Sequence, residues 1–359
     1  MSIQLLVDFK EFWRQLQADI RGARQSVLVQ TFAFEGDDVG QALAKALLEA
    51  QCADRRILAD SFTRLVLSDR FRYWPANIVD RGLQREARDT AVLIEQLKSA
   101  GVRLNFTNPY GVSPRKLLSR NHKKLIVIDE QVAYLGGINF SEHNASWHDM
   151  MFRLEDPAAA SFLRCDFLDT WSGCDSHRRA QFEGIEVLTA DGRNNPKAFQ
   201  RVVDLIDGAR QSIFVESPYI TFPFYERLRA ATRRGVSVSV LTPAENNWGL
   251  FAKYARLESA RSQIDLRLFK GGMSHLKAML IDDEYLIAGS SNFDYLSYRV
   301  HQELIAVITA PNAIADFRER VVAADLANAA SIECHASARS QRWLSWQVKL
   351  IDAAMTALT

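Results

Sequence analysis

One pattern occurs twice in this chain and restricts its fold more than any other feature. The first copy is His122-x-Lys124-x4-Asp129, followed by Gly136-Gly137-x-Asn139-Phe140. The second is His275-x-Lys277-x4-Asp282, followed by Gly289-Ser290-x-Asn292-Phe293. Counted from the histidine, Lys stands at +2, Asp at +7, Gly at +14 and Asn at +17 in both. One HxKx4D in a chain with seven His is a weak signal, but two copies with matched Gly and Asn positions require a repeated structural unit. The runs LIVI (125–128) and AMLI (278–281) predict a strand buried on both faces. Residues two apart on a strand share a face, so each His and Lys are expected to project together. Asp129 and Asp282 open turns (DEQ and DDE) and are expected to stabilise them rather than do chemistry. A returning strand would then bring Asn139 and Asn292 back to the His–Lys end. The small residues Gly136, Gly137, Gly289 and Ser290 would allow close backbone approach there.

The repeat extends beyond the motif. GARQSVLV (22–29) matches GARQSIFV (208–215), and IQLLVD (3–8) matches IEVLTAD (185–191). The helical pattern VGQALAKALLEA (39–50) matches FYERLRAATRRG (224–235), and ILAD (57–60) matches VSVSVLTP (236–243). Alternating short strands and amphipathic helices predict an α/β fold with a sheet covered on both faces. The expected division is 1–178 and 179–359, related by a pseudo-twofold axis that brings both motifs into one site. Gly22 and Gly208 are 186 residues apart, whereas His122 and His275 are 153 apart. The first half therefore carries about 33 more residues, assigned to 62–92 as a lid or a surface hairpin.

Bulk properties exclude several classes. With 44 Lys and Arg against 43 Asp and Glu, the net charge is +1, so affinity for phosphate must come from local groups. A nucleic-acid partner is not expected, because the sequence lacks the long basic, aromatic-rich tract of a strand-binding groove. Cys52, Cys165, Cys174 and Cys334 form no CxxC and read as reduced thiols. The first residues lack the apolar core of a signal peptide, and no run of 18 apolar residues occurs. The expected location is cytoplasmic, with at most peripheral membrane contact.

The doubled HxKx4Dx6G[G/S]xN resembles the signature of the phospholipase D superfamily, and the repeat order covers nearly the whole chain. That resemblance implies the following chemistry. One His, His122 by family precedent, attacks phosphorus and forms a phosphohistidine. The other, His275, protonates the leaving alkoxide and then activates water or an alcohol. Lys124, Lys277, Asn139 and Asn292 would hold the non-bridging oxygens. Asp149 and Glu303, at the start of strand-like runs, would orient the imidazoles. The resemblance implies no cofactor and no metal.

The stretches TFAFEGDDVGQALAKALLEA (31–50), GGINFSEHN (136–144), WHDMMFRLEDP (147–157) and GSSNFDYLSYRVHQELIAVI (289–308) resemble bacterial cardiolipin synthases and related proteins. The implied function is phosphatidyl transfer between phospholipids. The alternatives are hydrolysis to phosphatidic acid or a nuclease of the same superfamily. Membrane contact is expected through the basic stretch 113–124 and the apolar stretch 343–359, which carries Trp343 and Trp346.

Overall fold

The structure is a computed structural model that describes residues 1–110 and 118–332, together with 343, 346 and 347. Two mixed sheets dominate. The first contains β1 (Ser2–Val7), β2 (Ser26–Thr31), β3 (Asp54–Asp60), β6 (Arg103–Thr107), β7 (Leu125–Ile128), β8 (Val132–Gly136) and β9 (Met150–Glu155). β4 (Val66–Leu67) and β5 (Arg70–Phe71) form a separate hairpin. The second sheet contains β10 (Arg178–Phe182), β11 (Ile185–Asp191), β12 (Ser212–Glu216), β13 (Ser237–Pro243) and β14 (Asp265–Phe269). It is completed by β15 (Ala278–Ile281), β16 (Tyr285–Gly289), β17 (Gln302–Ile308) and β18 (Ala329–Ser331).

The strand order is β1-β9-β8-β7-β2-β3-β6 in the first sheet and β10-β11-β17-β16-β15-β12-β13-β14-β18 in the second. Without the edge strands β10 and β18, the two orders are the same. β2, β3 and β6 run parallel, as do β12, β13 and β14, and a helix intervenes at each step. All strands up to residue 155 lie in the first sheet or its hairpin, and all strands from 178 onward lie in the second.

Period-two alternation explains why the motif strands are apolar throughout. Leu125 and Val127 face a core shared by both halves, which also takes in Ala278, Leu280, Phe152, Phe167 and Phe317. Ile126 and Ile128 face the opposite way, into a core beneath the helices Asp8–Gly22, Asp38–Glu49 and Arg81–Ser99. Met279 and Ile281 likewise face the second half's own outer core. A strand with both faces covered has no polar side to show.

The sequence repeat has a physical cause. Asp129 Oδ2 accepts the Arg24 N–H at 2.7 Å, and its Oδ1 accepts those of Gln25 and Ser26 at 2.7 and 2.8 Å. Asp282 accepts the N–H groups of Arg210, Gln211 and Ser212 at 2.8, 2.8 and 2.9 Å. The motif aspartate therefore binds the GARQS turn of its own half. Both aspartates and their successors have positive φ (Asp129 52°, Glu130 55°; Asp282 53°, Asp283 56°), the backbone of a primed hairpin turn.

The extra length of the first half falls in two places. Residues 61–102 separate β3 from β6, and residues 244–264 separate β13 from β14. Each segment contains a helix, Arg81–Ser99 and Gly249–Ser259 respectively. Part of the 62–92 stretch expected to be unmatched thus belongs to a helix with a counterpart. What the 244–264 segment lacks is the β4–β5 hairpin and the short helix Pro75–Ile78. Most of the remainder lies between β6 and His122.

Candidate active site

His122 and Lys124 do not lie within a strand, as the period-two reading expected. They occupy the extended segment just before β7, and His275 and Lys277 occupy the same place before β15. Their backbones pair instead with the other half. Asn121 bridges Gln302, with the His122 N–H donating to the Gln302 carbonyl at 2.9 Å. His148 bridges Ser274, with the His275 N–H donating to the His148 carbonyl at 2.7 Å. Each motif histidine is thereby set beside the residue that follows its bridge partner, Glu303 or Asp149.

The orienting pairs are consequently crossed between halves. His122 Nδ1 lies 3.1 Å from Glu303 Oε1, and His275 Nδ1 lies 2.7 Å from Asp149 Oδ2. Asp149 and Glu303 are the acids expected from the sequence, but each serves the histidine of the opposite half. All four groups are buried. With Nδ1–H donated to a carboxylate, Nε2 of each ring carries the free lone pair.

The Gly/Ser difference between the copies matches the Asp/Glu difference. A Cβ on Gly137 would fall 2.1 Å from Asp149 Oδ1, so only glycine leaves room for the shorter acid. At the equivalent position the Ser290 hydroxyl donates to Glu303, and the Ser297 hydroxyl donates to it at 2.8 Å. Gly136 and Gly289 are held by backbone: a Cβ would meet the Met150 carbonyl oxygen at 2.3 Å and that of Leu304 at 2.2 Å. Gly289 also has φ +145°.

The lysines are fully buried. Lys124 Nζ donates to the His122 carbonyl at 2.7 Å. Lys277 Nζ donates to the His275 carbonyl and lies 3.8 Å from Asp149 Oδ2. Its 2.8 Å approach to His275 Nδ1 is a contact only, because that nitrogen's proton is committed to Asp149. Asn139 Oδ1 accepts from Thr31 Oγ1 and the Ala33 N–H, both at 3.4 Å, which leaves its amide N–H groups to donate. Asn292 is buried, and its Oδ1 has no hydrogen-bond partner.

Electrostatics follow from this burial. Burial and the Lys124 ammonium push His122 down to about 3, against the pull of Glu303. Burial and Lys277 push His275 down to about 4, against Asp149. Both rings are therefore neutral near pH 7. Burial lowers Lys124 to about 7, with Glu303 opposing and Lys277 reinforcing it. Burial lowers Lys277 to about 8, with Asp149 and Glu303 opposing. Burial alone would raise the Glu303 carboxyl, but His122 and His301 hold it well below the usual carboxylate range. Lys277 and His275 likewise outweigh burial at Asp149.

Four further residues pack around the histidines. Phe32 packs edge-on to His122 at 5.1 Å, and Trp147 lies 4.7 Å from His275. His301 sits 5.7 Å from His122, and Tyr219 sits 6.2 Å from His275. Trp147 and His301 each stand two residues before an orienting acid, which is the signal that finds them. His148, which adjoins Asp149, stacks on Phe269 at 5.3 Å. Its ring lies between Asp8 (2.7 Å) and Asp325 (3.0 Å). His143 pairs with Asp69 and His177 with Asp191, while His335 lies outside the described residues.

Among the described residues, three groups of side chains bring donor atoms within 4.8 Å of one another: His122/His301/Glu303, His148/Glu216/Asp325 and Glu35/Asp37/Glu86. In the first, Glu303 is already engaged by His122, Ser290 and Ser297, an arrangement suited to orienting an imidazole.

The basic stretch 113–124 is not an open lipid-facing patch among its described members. Arg120 is buried on Asp60 (3.1 Å), Lys123 is buried on Asp166 (2.8 Å), and Lys124 is in the site. A charge that deep must be paired, and pairing removes it from the surface. Arg115 and Lys116 lie outside the described residues, as does most of 343–359, of which Trp343 and Trp346 are exposed. Among the described residues, no helix is long and apolar enough to cross a membrane.

Residues 16–171 and 202–323 match the family model described as "Cardiolipin synthase, PLD-like domain". The chain belongs to this phospholipase D-like family. It is 26% identical to cardiolipin synthase A of Pseudomonas putida (strain W619), covering 95% of this chain and 72% of that protein. It is 27% identical to cardiolipin synthase B of Salmonella typhi, covering 86% of this chain and 76% of that protein. Among solved structures, phosphatidylserine synthase of Haemophilus influenzae Rd KW20 superposes with a TM-score of 0.69 at 15% identity. That match covers 99% of this chain and 95% of that one, and it shows a shared fold.

Proposed function

We propose that this family member transfers phosphatidyl groups between phospholipids, as its cardiolipin synthase relatives are named for doing, through a phosphohistidine on His122. The observation that carries the reading is the crossed pairing of two buried imidazoles with two buried carboxylates. It supports a single site in which both Nε2 atoms face one substrate. The two halves, 1–178 and 179–359, then act as one catalytic unit.

In the first step, the His122 Nε2 lone pair bonds to phosphorus and the ester P–O bond breaks. The leaving alkoxide takes a proton from His275 Nε2. The phosphodiester anion raises the proton affinity of His275 as it enters, and Asp149 holds the resulting imidazolium. Lys124 and Lys277 meet the non-bridging oxygens, and the Asn139 and Asn292 amides donate to them. In the second step, neutral His275 removes the proton of an incoming hydroxyl. Its oxygen bonds to phosphorus, the P–N bond breaks, and His122 is regenerated. An alcohol acceptor gives transfer, and water gives hydrolysis.

The test combines two measurements. Incubation with phosphatidylglycerol and phosphatidylethanolamine, resolved by mass spectrometry, should give cardiolipin, whereas phosphatidic acid alone would mean hydrolysis. His275→Ala should trap phosphatidyl on His122, seen as a mass increment on the peptide bearing that residue. Turnover that survives His122→Ala would overturn the mechanism.

A further inference from the structure

Seven exposed large apolar side chains fall in two segments. Phe71, Tyr73, Trp74, Ile78 and Val79 belong to the stretch that only the first half carries, and Trp248 and Leu250 open the helix Gly249–Ser259 of the second half. Trp74 is 64% exposed, Val79 77%, Trp248 61% and Leu250 74%. Scattered surface apolar residues need no explanation, but two such runs held together do.

The fold does hold them together. Asp69, at the turn between β4 and β5, accepts from Asn247 Nδ2 at 2.9 Å and pairs with His143 at 3.2 Å. Asn247 adjoins Trp248 and accepts from the Tyr219 hydroxyl at 2.6 Å. Tyr219 contacts the His275 ring. On the other side, His143 packs on Trp147 at 4.9 Å, and Trp147 packs on His275. Both apolar runs therefore stand on the rim beside His275. The hairpin is also fixed at its base, where Glu35 accepts the Ser68 N–H at 3.3 Å and Glu86 accepts its hydroxyl at 3.0 Å.

Cationic groups outnumber acids on this rim. Exposed Arg64, Arg70, Arg81, Lys253 and Arg256 flank the apolar residues. The stretch from Asn246 to Leu257 holds no acid, with exposed Glu245 just before it and buried Glu258 just after. Asp80 is taken by Arg70, and Asp69 by Asn247 and His143. Trp, Tyr and Phe set among Arg and Lys match the headgroup zone of an anionic bilayer, where amphipathic rings lie shallow and basic groups meet phosphate.

We infer that the rim formed by 70–79 and 246–256 is a docking surface for an anionic phospholipid bilayer. It seats the membrane beside His275, so that a phosphodiester need rise only from the headgroup layer. The inference rests on the phospholipid reading of the site, and the experiment separates the two.

The full chain would be sedimented with vesicles of phosphatidylglycerol and phosphatidylethanolamine, and with phosphatidylcholine vesicles as the neutral control. Trp74→Ser combined with Trp248→Ser is expected to lower partition onto the anionic vesicles by about tenfold or more, from the lost apolar burial. Turnover of vesicular phosphatidylglycerol should fall with it. Turnover of short-chain phosphatidylglycerol below its micellar concentration should stay unchanged, which also shows the variant to be folded. Unchanged vesicle partition in the double variant overturns the inference. So does a loss of self-association with partition kept, which would make the face a contact between copies of the chain. If no phospholipid is turned over yet partition still depends on the two tryptophans, the catalytic reading fails and the docking surface stands.

Discussion

Glu303 takes up the Nδ1–H of His122 from 181 positions away, across the boundary between the halves. His275 and Asp149 make the reciprocal pair. Neither half alone therefore contains an oriented motif histidine.

The length of each acid is matched to its neighbour, which gives a compensation test. Glu303→Asp should lose about 10²- to 10⁴-fold in kcat, the scale of losing a carboxylate that fixes a histidine tautomer. Adding Ser290→Gly reproduces the Asp149–Gly137 arrangement and should restore about tenfold or more of that loss. Steady-state kinetics on the single and double variants decides this, and equal activity of the two would refute the matched-pair account.

The lysines set an alkaline limit. Lys124 at about 7 and Lys277 at about 8 lose their protons as pH rises through those values, and with them the attraction for phosphate. The free-enzyme profile, kcat/KM, should fall between about pH 7 and 9. The limb in kcat should lie higher, because bound phosphodiester favours the ammonium form. A kcat/KM that stays flat to pH 10 would contradict this.

Asp282 should matter for stability more than for chemistry. Its carboxylate closes three backbone N–H groups of the Arg210–Ser212 turn. Asp282→Ala is expected to cost about 1–3 kcal/mol in denaturant unfolding. Burial raises this carboxyl, but the three N–H groups outweigh it and hold it below its usual value. Its contribution is thus present above the unfolded pKa and lost as pH falls through the folded one. Acid unfolding of Asp282→Asn should accordingly be less pH-dependent in that range than that of the unmodified chain.

Lys123 is buried on Asp166, whereas the matching position in the second half is the buried apolar Leu276. Lys123→Leu alone should destabilise by about 3–5 kcal/mol by stranding the carboxylate. Lys123→Leu with Asp166→Leu should recover most of that. Thermal unfolding of both variants measures the difference, and a double variant as unstable as the single one would show that the pair itself is required.

Much of this architecture was legible because it is local. The LIVI and AMLI runs and the Asp-led turns depend on residues near one another in sequence, where strand periodicity and turn chemistry operate, and the GARQS copies were visible as a direct repeat. Asp149 and Glu303 as the acids came from the family resemblance, not from spacing. The spacing misplaced His122 and Lys124 within a strand, because the segment's actual pairing partner, Gln302, lies in the other half. The basic stretch before His122 read as a surface patch because charge implies exposure unless a partner is known, and Asp60 and Asp166 lie far off in sequence.

The sequence alone determined that there are two equivalent units, and which side chains each presents, since both follow from repeats and short-range spacing. Only the tertiary structure decided which acid serves which histidine, and which lysines are buried. It alone placed Trp74 and Trp248 on one rim. Those relations are set by how the two halves pack, and packing between distant segments leaves no periodic trace along the chain.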